Sequence, residues 1–311
     1  MKIMFCSKLD LFGAIILNTI LPKLAGHQIR VFLSDTTRPA ENVVPQLIGA
    51  KFFDRHLPLK GLFPMIDAQA LEGELLTFRG LARKTAVEIS TVGDINDSQQ
   101  EQTIRAWAPD LIVSARFSLI FKRNILQIPR LGSFNIHPGV LPGYAGLGAP
   151  MHALLAGESQ LGCTLHQIDE RIDTGPVYSI SYVPAAPQRS IFEISQELYA
   201  LGLASFETLL AELEAGKTPR VQAQDARLYR YYSLPLAPAF AQFAQLGLSG
   251  ISYPAYCATL RRFWPPGLDA PSSGLLDPAI LEQLARQGLE RADDPAALNA
   301  SLLSFLDHGR P

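Results

Sequence analysis

Two short apolar runs, KIMFC at 2–6 and QIRVFLS at 28–34, flank a single helical stretch, and this spacing constrains the fold more than any other feature. Lys2 to Cys6 reads as a buried strand, Phe12 to Leu24 as a helix with apolar residues at helical spacing, and Gln28 to Ser34 as a second strand. A strand, helix, strand opening predicts a right-handed parallel crossover. The alternation continues, with AVEISTV as a short strand, GDINDSQQEQTIRAWAP as loop and helix, and DLIVSAR as a central buried strand. The expected class is α/β, a Rossmann-like, mostly parallel twisted sheet with helices on both faces, plus a smaller, mainly helical C-terminal region. Ser7 to Gly13 lacks the Gly-x-Gly-x-x-Gly pattern, so no dinucleotide site is expected there.

Lys8 and Asp10 interrupt the apolar opening and no clean cleavage site follows, so a signal peptide is not expected and the setting reads as cytoplasmic. After the second strand, DTTRPAENVVPQ is a polar loop, either an exposed connection or one that reaches the site. Between Val44 and Lys84, HLPLKGLFP is expected to break any helix and ALEGELLTFRGLARK to form one. VYSISYVP reads as a strand antiparallel to GCTLHQI. Ser190 and Glu193 form a capping box ahead of a long amphipathic run to Leu213, and Gly216 to Pro219 mark a stop. The expected organisation is therefore a catalytic domain over 1–216 and a second region over 217–311.

That second region opens on Tyr229, Tyr231 and Tyr232, then passes WPPGLDAPSSG, a connector by composition. It ends in two helices that each open on Asp-Pro, at 277 and 294. A net charge of −2 without a basic, aromatic-laced stripe argues against a nucleic-acid partner, and 48% hydrophobic with 18% charged residues suits a globular chain without a membrane partner. Cys6, Cys163 and Cys257 form no pair or framework and read as buried small hydrophobes in a reducing compartment. The six histidines show no metal-ligand spacing, so no metal is expected. His166 reads as a wall or core residue of a strand, and His152, at the start of MHALLAG, as a candidate for lining an acceptor site.

Chemistry concentrates in two loops. LGSFNI delivers Asn135 and His137 to a strand end, where Pro138, Gly139, Pro142, Gly143 and Gly146 prevent regular structure. GCTLHQI is followed by the turn-rich DERIDTG, which carries Asp173. Taken singly, each residue is more often a cap, a core group or a turn former. Together an amide, an imidazole and a carboxylate can move an acyl group onto an amine: the amide donates to an oxyanion, the imidazole donates or exchanges a proton, and the carboxylate orients water or the imidazole.

At these residues the sequence resembles the formyltransferases that use 10-formyltetrahydrofolate. The resemblance runs from about Ile104 to Val177 through Asn135 to Pro138, Leu141, Pro142, Tyr144, Gly146 and Pro150, then Gly157, Glu158, Gly162, Thr164 and Asp173 to Gly175, all in order. It implies Asn135, His137 and Asp173 as the catalytic trio. It also implies a folate pocket against Phe117, Ser118, Leu119 and Phe121 and the loop of Asp169, Ile172 and Asp173, with backbone hydrogen bonds and an apolar wall offered to the pterin. Family members usually carry Ser after the His-Pro; here Gly139 removes a hydroxyl and leaves the backbone free to take positive φ. Arg116 stands where relatives are small or aromatic, and reads as a surface cation rather than an anion contact.

The implied reaction is direct attack of an amine on the formyl carbon of the co-substrate 10-formyltetrahydrofolate, with Asn135 and His137 donating to the tetrahedral oxyanion and Asp173 helping the amine proton toward N10. The expected acceptor is a small-molecule amine, a nucleotide-linked amino sugar or a hydroxyornithine-type amine, since tRNA-directed relatives are expected to end in a β-barrel. The tyrosine cluster resembles turns that follow the catalytic domain in amino-sugar enzymes, with plain packing as the competing reading. A 10-formyltetrahydrofolate hydrolase and a non-catalytic folate-binding protein are the alternatives, and a homodimer is admitted.

Overall fold

The computed structural model describes all residues except 70, 187, 270, 272, 290–292 and 309–311. Its main sheet is built from β1 (Lys2–Lys8), β2 (Gln28–Ser34), β3 (Glu88–Val92), β4 (Leu111–Ala115), β5 (Ser133–His137), β7 (Gln160–Gln167) and β8 (Val177–Pro184), in the order β3-β2-β1-β4-β5-β7-β8. A small second sheet pairs β6 (Ala145–Gly146) with β9 (Tyr231–Tyr232). The first five strands of the main sheet are parallel, and β7 and β8 then run antiparallel, as expected for VYSISYVP against GCTLHQI.

Strand alternation divides the interior into two layers. Ile3 and Phe5 of β1 join the larger cluster, which lies under α1 (Leu11–Ile20) and α8 (Ile191–Glu214), while Met4 and Cys6 join the smaller one with Ile104 and Ile125. Both faces of β4 are covered, which is why LIVSA is apolar without alternation. The order reverses at β1, whose neighbours are β2 and β4, and such a switch leaves a crevice at the carboxyl ends of the strands. The capping box of α8 is present as expected, with Ser190 Oγ accepting from the Glu193 amide.

Of two expectations between Val44 and Lys84, one fails and one holds in part. HLPLKGLFP does not break the chain: α2 (Pro45–Lys51) passes into a π-wound turn over Phe52–Leu62 and then α3 (Phe63–Gln69), with Pro58 inside. A proline in a helix interior costs ~3 kcal/mol, but the same segment buries Phe52, Phe53, Leu57, Leu62, Phe63 and Ile66, and burying each such side chain is worth ~1.5–3 kcal/mol. The looser π winding also gives the proline ring room against the preceding turn. Conversely, ALEGELLTFRGLARK is helical only in α4 (Phe78–Thr85), which starts where Thr77 caps the Gly80 amide at 3.0 Å.

The remaining helices are α5 (Ser98–Trp107), α6 (Arg123–Leu126), α7 (Ala149–Leu155), α9 (Ala237–Gln245), α10 (Tyr253–Phe263), α11 (Pro278–Leu289) and α12 (Pro295–His308). Asp277 and Asp294 cap the last two as their Asp-Pro openings suggest. Part of the WPPGLDAPSSG connector lies outside the described residues. Helix α10 anchors the C-terminal region: Tyr256 is fully buried and its hydroxyl donates to the Phe53 carbonyl at 2.7 Å. The three cysteines are free and buried. No described helix is long and apolar enough to cross a membrane.

Candidate active site

Every residue expected at the site, Asn135, His137, Asp173, Phe117, Ser118, Leu119, Phe121, Asp169 and Ile172, lines one cavity of about 880 Å³ at the carboxyl ends of β4 and β5. Asn135 and His137 sit on β5 itself, two residues apart, so the pleat points both to the same side. The Ser114 hydroxyl on neighbouring β4 donates to Asn135 Oδ1 at 2.7 Å, which fixes the amide with its NH₂ group turned the other way. That Nδ2 lies 3.3 Å from His166 Nε2.

His137 is buried, with Nε2 donating to the Tyr144 carbonyl at 2.7 Å and Nδ1 3.5 Å from Asp173 Oδ2. With Nε2 committed and Nδ1 turned to Asp173, His137 has no hydrogen free for an oxyanion, and Asn135 Nδ2, with a second hydrogen to give, is the better-placed donor. Gly139 makes this arrangement fit. A Cβ there would lie 2.5 Å from His137 Nε2 and 2.6 Å from the Tyr144 oxygen. Gly139 does not use its freedom to take positive φ; close approach, not left-handed backbone, is what requires glycine.

The antiparallel pairing of β5 with β7 sets Asn135 opposite His166, whose Nε2 is 3.4 Å from Asp173 Oδ1. His166, expected as a wall or core residue, is buried and lines the cavity, and it is also a member of the polar group. Its place opposite Asn135 was not visible before the strand register was known. His166 Nδ1 donates to the Gln167 carbonyl at 2.7 Å, and the Gly146 amide donates to Asp173 Oδ2 at 2.8 Å. Burial pushes the Asp173 carboxyl up, but His137, His166 and the Gly146 amide outweigh it and hold the group well below the usual carboxylate range. An ionised carboxylate between two imidazoles, each pinned to a backbone carbonyl by its far nitrogen, can stabilise a proton arriving on either ring.

Residues beyond 216 hold this loop in place. Asp173 has φ +53°, a left-handed backbone that Asp tolerates, and Gln224 Nε2 donates to the carbonyls of Asp173 and Gly175 at 3.0 and 2.6 Å. The Tyr229 hydroxyl donates to the Ile172 carbonyl at 2.9 Å. Tyr231 and Tyr232 of β9 pair with Ala145 and Gly146, and Gly146, at φ +94°, has no room for a Cβ against the Tyr232 carbonyl. Tyr232 stacks between Tyr144 and His152 with centroids at 5.7 and 4.5 Å, so His152 packs against the tyrosine and does not line the cavity.

On the other side, Phe117 and Phe121 stack at 5.1 Å, and Ile120 and Ile172 expose apolar surface into the cavity, a wall suited to a flat ring. The Ser118 amide already donates to Ser34 Oγ at 3.1 Å, which withdraws one of the expected backbone donors. Arg116 is not a surface cation: at φ +63°, it pairs with Asp10 and Asp54 at 2.7 and 2.8 Å and lies over the Phe12 ring.

An amide, two imidazoles and an ionised carboxylate gathered beside β5 and β7 of an open α/β sheet are groups that can serve acyl transfer. Residues 84–206 match the family model described as Formyl transferase. Methionyl-tRNA formyltransferase of Halorhodospira halophila is 36% identical over 133 residues, 42% of this chain and 43% of the relative. That of Aromatoleum aromaticum is 35% identical over 138 residues, 44% and 43% of the two chains. The aligned part thus spans less than half the length of either relative. Glycinamide ribonucleotide transformylase 1 from Symbiobacterium toebii shares the fold, with TM-score 0.50 and 16% identity over 72% of this chain and 94% of that one.

Proposed function

We propose that this chain moves the formyl group of 10-formyltetrahydrofolate onto the amine of a small molecule, with residues 1–216 as the catalytic unit and 217–311 shaping the acceptor side. The observation that carries the reading is the linked set Asn135, His166, Asp173 and His137 on one cavity wall. The folate would rest on Phe117, Leu119, Phe121 and Ile172, beside Asp169, and supply the carbon to be transferred. Asn135, aimed by Ser114, donates Nδ2–H to the oxygen on which charge develops. His137 or His166, flanking ionised Asp173, receives the proton that the acceptor amine loses and passes it to N10 as the bond from N10 to the formyl carbon breaks and tetrahydrofolate leaves.

A small acceptor is supported by the cavity, whose volume of about 880 Å³ lies in the range of small-molecule sites. Its walls include Phe240 and Ala244 of α9 and Leu298 and Leu302 of α12, from beyond the segment that matches the family. A cytoplasmic setting belongs to the same reading, supported by three buried free thiols. The test is tetrahydrofolate formation with a panel of primary amines, with charged initiator tRNA, and with neither. Turnover that needs a small amine supports the reading. Turnover only with the tRNA, or equal turnover with neither, overturns it in favour of a tRNA enzyme or a hydrolase.

A further inference from the structure

The cavity does not stop at the polar group. It runs between α2 and the C-terminal helices α9, α11 and α12, which pack on it. This part of the wall is mostly apolar, with the small side chains Ala50, Ala244 and Ala285 set beside the larger Phe240, Leu298 and Leu302, and with Gln46 and Lys51 of α2 as its polar members. Gly49 of α2 belongs to it as well, and a Cβ there would meet nothing within 4 Å, so the space beside the helix is open. Small residues facing one another across helices leave a channel that an apolar body fills and that water occupies at a cost.

The cations along the cavity are largely spent on protein carboxylates. Lys8 pairs with Glu41, Arg55 with Asp35, and Arg116 with both Asp10 and Asp54, while Lys51 Nζ donates to Asn42 Oδ1. Asp10 also occupies the start of α1, where its Oδ1 accepts the Gly13 amide at 2.9 Å and takes the place an anion would use. A pyrophosphate-bearing acceptor would have to displace these pairs, leaving Arg38 and Arg171, both exposed, as its main contacts. An uncharged apolar chain would displace none.

We propose that the acceptor presents its amine on an apolar body, an alkyl or aryl chain, which lies in the channel between α2, α9, α11 and α12 while the amine reaches Asn135, His137 and Asp173. This rests on the formyl-transfer reading for the role of the amine, and on the channel alone for the apolar chain. The channel's walls make Gly49 and Ala244 determinants of acceptor length.

Binding is the direct test, since it can be read without turnover. Octylamine, propylamine and 1,8-diaminooctane are titrated by calorimetry into the full chain, wild type and Gly49→Leu, with thermal melts to show that the variant folds. Leucine in place of glycine favours the helix, so loss of fold is not the expected effect. Octylamine should bind at least about tenfold more tightly than propylamine or the diamine, because only it buries its whole chain without burying a second charge. Gly49→Leu should remove that advantage while propylamine binds as before. Equal binding of the three amines, or an octylamine advantage unchanged in Gly49→Leu, overturns the proposal. Tetrahydrofolate formation with octylamine is then measured separately. Channel-dependent binding with no transfer leaves the apolar site standing and counts against the formyl-transfer reading instead.

Discussion

Gly139 lies directly against the His137 ring, so close that a Cβ would sit 2.5 Å from Nε2. That nitrogen is the one that donates to the Tyr144 carbonyl at 2.7 Å, and the contact decides which way the imidazole faces Asp173. Restoring the serine common in the resembling family, or placing alanine there, must push the ring or the Tyr144 carbonyl away. Gly139→Ala and Gly139→Ser should each lower stability by about 1–3 kcal/mol, the usual cost of overpacking, and reduce turnover further than the stability loss explains. Urea titration alongside turnover checks this, and an active, unperturbed Gly139→Ser would show that the His137 position is not set here.

Asn135 carries the oxyanion role alone in this arrangement, because His137 gives its Nε2 hydrogen to the Tyr144 carbonyl and turns Nδ1 to Asp173. Asn135→Ala should therefore cost about 10²–10³ in turnover, the size found for single oxyanion donors. Its melting temperature should change little, since the side chain is only half-buried. His166→Gln should lower turnover less, because a side-chain amide can still donate toward Asp173 but cannot take up a proton. A larger loss in His166→Gln than in Asn135→Ala would reverse the assigned roles.

Gln224 gives a way to ask whether residues after 216 belong to the site. Its amide donates to two backbone carbonyls of the Asp173 loop, those of Asp173 and Gly175, and to no side chain of the polar group. Removing it in Gln224→Ala should cost about 1–2 kcal/mol locally, released as mobility of the loop. The expected result is a roughly tenfold drop in turnover with an unchanged global unfolding midpoint, since about 1.4 kcal/mol corresponds to a factor of ten. Wild-type turnover in this variant would make the contact incidental.

Asp54 titrates within reach of ordinary buffers. Burial, the largest influence, raises its carboxyl to about 6 although Arg116 pulls it down. In the unfolded chain the group releases its proton near pH ~3.9, so the folded state holds the proton longer. The stabilisation from that proton is complete at low pH and is lost as pH rises from about 4 through about 6. Asp54→Asn lacks this titration, while Asp173, held low in both proteins, cancels from the comparison. Between pH 4.5 and 7 wild type should therefore lose on the order of 2 kcal/mol relative to Asp54→Asn in urea unfolding. Parallel stability curves would contradict the burial of this carboxylate.

Local signals in the sequence specified much of the frame. Alternation and β-branching located Gln28–Ser34 to the residue, and the Ser190–Glu193 box and the Asp-Pro openings located three helix starts. Asn135, His137 and Asp173 were legible because loops rich in Pro and Gly follow the strands that carry them. What escaped depends on tertiary context. The helix through Pro58 persists because its apolar side chains are buried by α1, α10 and α12. Arg116 looked like a surface cation because its partners, Asp10 and Asp54, lie 106 and 62 residues away along the chain. His166 looked like core because strand alternation gives its face but not its register against Asn135. Gln224 carries no motif, and only the folded loop reveals its role.

The most direct test of formyl transfer is to supply 10-formyltetrahydrofolate labelled with ¹³C in the formyl group, together with a primary amine, and to weigh the amine afterwards. The account predicts a labelled formamide that forms in proportion to tetrahydrofolate and disappears in Asn135→Ala. Free labelled formate with an unmodified amine, at the same rate of tetrahydrofolate release whether or not the amine is present, would contradict it.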